Sequence, residues 1–211
     1  SAFTDDEVKI IGNGIYITNE TSFNVDSPSA DLLNVITSEA STIEDLPTQC
    51  KHGYVVKVIN SVANEDDYYV KFQGENGRDG PGVWEECPKP GRNLEIDRET
   101  MPYELVRSYD SSNNRIIFTI DFIDWDKCEV GDWDSATLEG TVPDPSFIGK
   151  TINKMVFFRN RLVMLSDENI IMSRPGDFYN FWPRSAITFS ATDVIDLSCS
   201  SEYPAIVYDA I

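Results

Sequence analysis

Short runs of β-branched and aromatic residues set the strongest limit on the fold of this chain. Val8–Ile11, Tyr54–Ile59 and Tyr68–Phe72 are typical, and each is only four to six residues long. Glycine, asparagine and proline lie between such runs and favour turns. A helix would need an apolar period sustained over about ten residues or more. The pattern therefore predicts strands joined by turns, and a mainly β fold.

A hairpin and short helical turns are predicted near the N-terminus. Gly12-Asn13-Gly14 lies between two apolar runs, and Asn-Gly in that setting is a strong hairpin signal. Ser27-Pro28 is typical of a helix start, and Ser41-Thr42-Ile43-Glu44 has the form of a capping box. Pro47 would end that turn. We expect one or two short helices between residues 28 and 46.

Turns and loops are predicted through the middle of the chain. The polar segments Asn64–Asp67 and Asp110–Asn114 each separate two apolar runs and indicate hairpin turns. The segment from Gly74 to Gly82 carries four glycines and a proline, which predicts a mobile loop. A short strand is expected at Val83–Glu86, and the stretch from Asp124 to Ser146 is loop-like.

After Lys150 the apolar runs follow one another more closely than in the rest of the chain. Met155–Phe158, Leu162–Leu165 and Asn169–Met172 are three apolar runs with very short links. This spacing predicts an antiparallel meander, as in one blade of a propeller. Because the pattern occurs once, the sequence does not establish a repeat.

The charge balance limits the function. The chain has 36 acidic and 17 basic residues, which gives a formal net charge of −19. Such a surface repels nucleic-acid phosphates and argues against a DNA-reading domain. It is compatible with a protein that DNA passes without adhering, although solubility or adaptation to salt accounts for the same composition.

Motifs for catalysis are few. His52 is the only histidine, and neither a G-x-S-x-G nor a P-loop motif occurs. The four cysteines are far apart in the sequence, so we expect free thiols and no zinc site. They are Cys50, Cys87, Cys128 and Cys199. We predict no cofactor, no bound metal and no membrane span.

Five carboxylates cluster within eleven residues. Paired carboxylates serve glycoside hydrolysis, and oxygen ligands bind Ca²⁺. The order of the EF-hand loop is absent, so a solvated acidic loop is the simpler interpretation. The five residues are Asp124, Asp126, Glu129, Asp132 and Asp134.

Aromatic and arginine residues concentrate between positions 159 and 182. Four rings within Phe178–Trp182 exceed what one strand face buries, so a small core under a loop, a subunit interface and a sugar-binding platform are all open. The nearby arginines could pair with a neighbouring subunit, but we favour pairing with Asp167, Glu168 and Asp177 in the same block. The candidate interface residues are Arg159, Arg161, Arg174, Phe178, Tyr179, Phe181 and Trp182.

Nine segments follow one another along the chain in an order that is specific to one protein family. They are Gly53–Val58, Asp67–Phe72, Val83–Glu86, Met101–Arg107, Val130–Asp132, Pro145–Lys150, Phe157–Leu162, Ser166–Asn169 and Met172–Trp182. This series resembles the tail tubular protein B, or tail nozzle, family of T7-like short-tailed phages. The best-matched block runs from residue 145 to 182, and the likeness covers roughly residues 50 to 200. One departure is Lys127-Cys128-Glu129, where an arginine is usual before Val-Gly-Asp.

The resemblance implies a virion structural protein and no enzyme. Members of that family are several times longer, so we expect this chain to be a piece of a longer protein. They form a six-fold ring at the distal end of the tail, assembled in the host cytoplasm, with the tail adaptor protein and tail fibres as partners. DNA passes through the lumen of the ring without specific binding.

The resemblance also implies how the chain is organised. The expected fold class is mainly β, with a propeller-blade-like antiparallel meander plus an inserted β-rich domain with one or two short helices. We expect a hairpin and short helices in residues 1–49, the β-rich inserted domain in 50–145, and the meander in 146–211. The meander would open a propeller-like domain that continues beyond the sequence.

Two other classes of function stay open at this stage. A carbohydrate-binding, adhesin-like module would use the 178–182 aromatics and the acidic loops. A glycan-degrading enzyme would use the 124–134 carboxylates.

Overall fold

The structure, a computed structural model, describes residues 7–18, 24–26, 29, 33–59, 67–134, 136–199 and 206–210. These residues divide into two compact units. Unit 1 comprises Ser1–Arg92, Val130–Pro143 and Ser185–Ile187, and unit 2 comprises Asn93–Glu129, Asp144–Arg184 and Thr188–Ile211. The three-part division at residues 49 and 145 stays a prediction.

Strands dominate both units, which confirms the mainly β class. Unit 1 contains β1 Val8–Ile11, β2 Gly14–Ile17, β3 Glu39–Ala40, β4 Gln49–Cys50, β5 Val55–Val58, β6 Tyr68–Gly74 and β7 Gly80–Cys87. Unit 2 contains β8 Tyr103–Asp110, β9 Arg115–Phe122, β10 Ile152–Phe158, β11 Arg161–Ser166, β12 Asn169–Met172 and β13 Ile195–Ser198. Short 3-10 turns lie at Ile43–Asp45, Glu75–Gly77 and Arg98–Thr100.

Unit 1 is built on a five-stranded sheet in the order β3-β5-β6-β7-β4. Alternate residues of β5 and β6 are buried, and Val56 pairs with Val70 across the strands. Both valines pack with Ala40, Leu46 and Val58 into one core. The period of two predicted from the apolar runs therefore defines the buried face of this sheet.

The N-terminal hairpin forms as predicted, with a shifted turn. Ile11 pairs with Gly14, so Gly12 and Asn13 are the two turn residues. Gly12 has a φ of 59°, the conformation that favours glycine at the first position of a two-residue hairpin turn.

Among the described residues of the region where one or two short helices were predicted, the structure has one. Ile43–Asp45 is a 3-10 turn that begins after Thr42, whose side chain makes no capping hydrogen bond, and the backbone is extended again at Leu46. Residues 33–36 are not helical. The predicted helix start at Ser27-Pro28 lies outside the described residues, as do Asn64–Asp66 of the predicted turn.

The bounds of the loop predicted from Gly74 to Gly82 are wrong, because only residues 75–79 lie between the two strands. β7 begins at Gly80, and Gly74 pairs with Gly82 in the sheet. A Cβ atom on Gly82 would lie 2.2 Å from the Gln73 carbonyl oxygen. Glycine is required here for close approach of two backbones, whereas the sequence pattern indicated flexibility.

Unit 2 contains the predicted meander and one strand more. Its sheet is antiparallel in the order β10-β11-β12-β13, so neighbours in sequence are neighbours in space. Every residue of β11 is buried. The sequence analysis missed β13, which pairs with β12 and completes a four-stranded unit typical of a propeller blade.

A separate two-stranded ribbon, formed by β8 and β9, also belongs to unit 2. The eight residues of each strand pair in register from Tyr103 with Phe122 to Asp110 with Arg115. This confirms the hairpin predicted around Asp110–Asn114.

The four cysteines are free, as expected. Cys50, Cys87 and Cys128 are buried, and Cys199 is exposed. Burial raises the pKa of the Cys87 thiol to about 11. Among the described residues no helix has the length and hydrophobicity needed to cross a membrane.

Candidate functional site

Arg161, the first residue of β11, is a buried hydrogen-bonding centre of unit 2. Its Nη1 donates to the carbonyl oxygens of Ser173 and Asp193, each at 2.6 Å, and its Nη2 donates to the carbonyl oxygen of Ala191 at 2.9 Å. One guanidinium thereby holds the chain after β12 and the loop before β13 against the sheet. The planar fork of arginine suits several acceptors at once.

Asp193 is a buried partner that the sequence analysis missed. The residue is 2% exposed, and its carboxylate accepts hydrogen bonds from the backbone N–H groups of Ser190, at 2.7 Å, and Arg184, at 3.2 Å. Hydrogen bonds to the charged carboxylate close the loop before β13. The available signal was an aspartate in the Ser190–Asp193 turn, where such side chains bond to the nearby backbone.

Arg174 fastens the aromatic segment in a similar way. Its Nε donates to the Trp182 carbonyl oxygen at 2.7 Å, and its Nη2 donates to that of Pro183 at 2.9 Å. Its backbone N–H donates to the Asn180 carbonyl oxygen. The aromatic segment is therefore a closed loop whose two ends are joined through one buried arginine.

The predicted carboxylate partners of these arginines are wrong. The guanidinium groups of Arg161 and Arg174 donate to backbone carbonyl oxygens, whereas Asp167 lies 3.7 Å from the Lys150 ammonium. The loops lie so close to the sheet that their carbonyl groups need donors, and buried carbonyl groups without donors are costly. Arg159 is exposed and lies 5.3 Å from the Phe158 ring.

The aromatic side chains share in a small core of unit 2. Phe181 and Trp182 are 2% and 3% exposed. The Phe181 ring packs edge-on against Phe147 at 5.1 Å, and the Trp182 indole N–H donates to the Asp126 carbonyl oxygen at 3.0 Å. Phe178 packs on Phe157 and Tyr179 on Trp125, with Phe178 partly buried and Tyr179 38% exposed.

The seven candidate interface residues therefore differ in their surroundings. Arg161, Arg174, Phe181 and Trp182 lie inside unit 2, and Arg159, Phe178 and Tyr179 retain exposed surface. Their role at an interface stays a prediction.

The acidic segment is divided between the two units, and its carboxylates have local partners. In unit 1, Asp132 accepts hydrogen bonds from the Thr141 backbone and hydroxyl, and Asp134 accepts the Ala136 N–H. In unit 2, Asp124 lies 4.0 Å from Arg98. No group of three or more potential metal ligands occurs in the part of the chain that the structure describes.

Asp126 is a carboxyl with a perturbed pKa. Desolvation raises its pKa, the negative charge of Asp177 raises it further, and Arg174 opposes the shift. A folded-state pKa above the unfolded value favours the protonated native state. The stability that this group contributes is therefore complete below the unfolded pKa and falls as the pH rises through the folded pKa.

Replacing Asp126 with asparagine is expected to increase the free energy of unfolding at pH 7 relative to the wild type. The gain should be at most about 0.5 kcal/mol, because the side chain is exposed, and it should disappear at acidic pH. Urea denaturation at several pH values measures the difference. Asp177→Asn should show the same trend, and a gain that is unchanged at acidic pH would contradict desolvation and repulsion of the ionised Asp126 carboxylate as its cause.

Comparison with known proteins confirms the resemblance drawn from the sequence. A family model described as bacteriophage nozzle protein matches residues 1–211. The chain is 34% identical over 209 residues to the tail tubular protein gp12 of Escherichia phage T7. The matched region covers 95% of this chain and 24% of that relative. The chain thus spans about a quarter of the length of the relative. Since the family model matches the chain from end to end, the chain belongs to the bacteriophage nozzle protein family.

Proposed function

We propose that this chain is a wall segment of the nozzle at the distal end of a short phage tail. Six copies of the whole protein form a ring whose lumen continues the conduit for the genome. The ring retains DNA before infection and releases it at ejection. The family match over the whole chain carries this proposal.

The charge of the chain supports a conduit that DNA does not bind. Of the described carboxylates, only Asp67 and Asp193 are buried, so the acidic residues lie mainly on the surface. Each lysine or arginine that contacted a phosphate would add affinity and hinder sliding. Carboxylates facing the lumen repel the duplex and keep it centred.

The internal contacts of unit 2 suit a structural role. Arg161 and Arg174 donate hydrogen bonds to backbone carbonyl oxygens of their own unit. A segment stiffened in this way keeps its shape while DNA moves past it. The tail adaptor protein and the tail fibres are the proposed partners, and the tail is assembled in the host cytoplasm.

No observation favours the adhesin-like alternative. A sugar platform needs exposed rings, and of the four rings at 178–182 Phe181 and Trp182 are buried, Phe178 is partly buried and only Tyr179 is exposed, at 38%. Asp132 and Asp134 of the acidic segment accept hydrogen bonds within their own loops, and Asp124 lies near Arg98. A structural role is therefore the function we propose.

A stop codon early in the gene tests the proposal in the phage that encodes the protein. We expect particles that lack the distal ring and lose their DNA, as measured by electron microscopy and by nuclease sensitivity of the genome. Supplying the wild-type protein in trans should restore infectivity. Particles that keep both the ring and their genome would contradict the proposal.

A further inference from the structure

The β1–β2 hairpin forms a small sheet of its own within unit 1. Its two strands pair with each other, whereas the five-stranded sheet of the unit is built from β3, β5, β6, β7 and β4. Ile11 is the one buried residue among the eight of β1 and β2, whereas alternate residues of β5 and β6 are buried. A two-stranded ribbon is marginally stable by itself. The hairpin therefore depends on the side chains that hold it to the rest of unit 1.

One face of the hairpin carries the side chains that meet unit 1. Lys9 pairs with Tyr16 across the two strands, and Ile11 lies two residues further along β1, so these three side chains share a face. Ile10 and Ile15, which pair with each other on the opposite face, are 77% and 68% exposed. The face of Lys9, Ile11 and Tyr16 is therefore the one that is fastened.

Asp79 is the anion that faces this side of the hairpin. Its carboxylate accepts hydrogen bonds from the Lys9 ammonium and, at 2.9 Å, from the His52 backbone N–H. The bond from Lys9, more than that from His52, holds the pKa of Asp79 below its usual value. Asp79 lies in the loop between β6 and β7, and His52 lies in the loop between β4 and β5. One carboxylate thus joins the hairpin to two loops of unit 1.

Tyr16 makes the second contact with unit 1. Its ring packs edge-on against the ring of Tyr54, with the centroids 5.2 Å apart, and the Lys51 ammonium lies 5.0 Å from the Tyr16 centroid. Solvent-exposed ion pairs and single cation–π contacts each contribute little stability. The five-stranded sheet, in contrast, is held by a buried apolar core that includes Val56 and Val70. The hairpin is therefore fastened more weakly than the strands of that sheet are.

We propose that the β1–β2 hairpin is a latch that opens while the five-stranded sheet of unit 1 stays folded, and that the Lys9–Asp79 ion pair sets how often it opens. Opening separates Lys9 and Tyr16 from their partners, and the freed ribbon then loses its ladder hydrogen bonds because two strands alone are marginally stable. Elements with little buried apolar surface open at a lower free energy than the core strands of the same domain. This opening is a property of the chain itself and does not depend on the nozzle function.

Amide hydrogen exchange of the 211-residue chain, followed by NMR at constant pH, tests the latch. In the wild type, the protection factors of the ladder amides of β1 and β2 should be at least about tenfold lower than those of β5 and β6. Lys9→Glu should lower the protection of the hairpin by a further factor of about five or more, because attraction to Asp79 becomes repulsion. The protection of β5 and β6 should not change.

A charge swap separates the ion pair from a general effect of charge. Lys9→Glu combined with Asp79→Lys should restore the protection of the hairpin to within about threefold of the wild type, since the pair is present again with its charges exchanged. Glu75 is an exposed carboxylate in the same loop as Asp79. Lys9→Glu combined with Glu75→Lys is therefore the matched control, with the same net charge and no expected rescue. Circular dichroism verifies that every variant keeps the fold.

Four results would overturn the proposal. The first is a wild-type hairpin that is as well protected as β5 and β6. The second is a Lys9→Glu variant whose hairpin exchanges like that of the wild type, and the third is an equal loss of protection in β5 and β6. The fourth is a rescue by Glu75→Lys that matches the rescue by Asp79→Lys.

Discussion

Replacing Arg161 with alanine is expected to lower the free energy of unfolding by about 3 to 5 kcal/mol. The substitution leaves the carbonyl oxygens of Ser173, Ala191 and Asp193 without the donor that they share. It also removes the tie between the sheet and the loop before β13. Urea denaturation followed by the fluorescence of Trp125 and Trp182, which both lie in unit 2, measures the loss.

Arg159→Ala is the matched control for Arg161. Arg159 is exposed in the turn before β11, so its loss should change the stability by less than about 0.5 kcal/mol. Arg161→Lys should be intermediate, because an ammonium keeps the charge without the planar fork. Unchanged stability of Arg161→Ala together with lost ring assembly would show that the residue acts at a subunit interface instead.

Replacing Trp182 with alanine is the second large effect, with an expected loss of about 3 to 5 kcal/mol. The indole is 3% exposed, and its N–H donates to the Asp126 carbonyl oxygen. Removal creates a cavity inside unit 2 and leaves that carbonyl oxygen without this donor. Thermal and urea unfolding measure the effect.

Phe189→Ala provides the comparison for Trp182. Phe189 is an aromatic residue of the same unit but is 89% exposed, so the change should be nearly neutral. The opposite pattern is equally informative. A Trp182→Ala variant with normal stability that lost saturable binding on a glycan array would favour a carbohydrate-binding module.

The strand segments were predictable because their signals are local. β5, β6 and the three strands of the meander follow from short apolar runs between turn residues. β13 has the alternating sequence Ile-Asp-Leu-Ser, which is short and only half apolar, so it does not stand out from a loop. Its pairing with β12 depends on tertiary contacts, and the alternation of apolar and polar residues over only four positions does not predict them.

The turn glycines show the limit of local composition. Gly74, Gly80 and Gly82 indicated a loop, yet two of them pair with each other across β6 and β7. The same residue type serves flexibility and close packing, and only the position of the neighbouring backbone distinguishes the two uses.

The sequence predicted that the arginines of unit 2 bond within their own block, but it did not predict which groups accept their hydrogen bonds. The sequence indicated that Arg161 and Arg174 bond within their own block, but it offered carboxylates as acceptors. The actual acceptors are backbone carbonyl groups, which every residue carries, so no residue type marks them. Asp193 was missed because nothing in the sequence distinguishes this aspartate from the many exposed acidic residues of the chain.

The ribbon shows why exposure is harder to predict than pairing. The two strands of the β8–β9 hairpin are predictable because each contains a run of apolar residues. Those residues predict burial of one face, yet Leu105 and Ile120 are exposed in this chain.

The nozzle function makes a specific demand on the assembled tail. An electron cryo-microscopy map of the virion, at a resolution that separates strands, tests it most directly. We predict six copies of the β10–β13 sheet around the tail axis at the distal end, and carboxylates from the acidic surface facing the lumen. A map that placed this chain outside the conduit, or lined the lumen with neutral or basic side chains, would contradict the account.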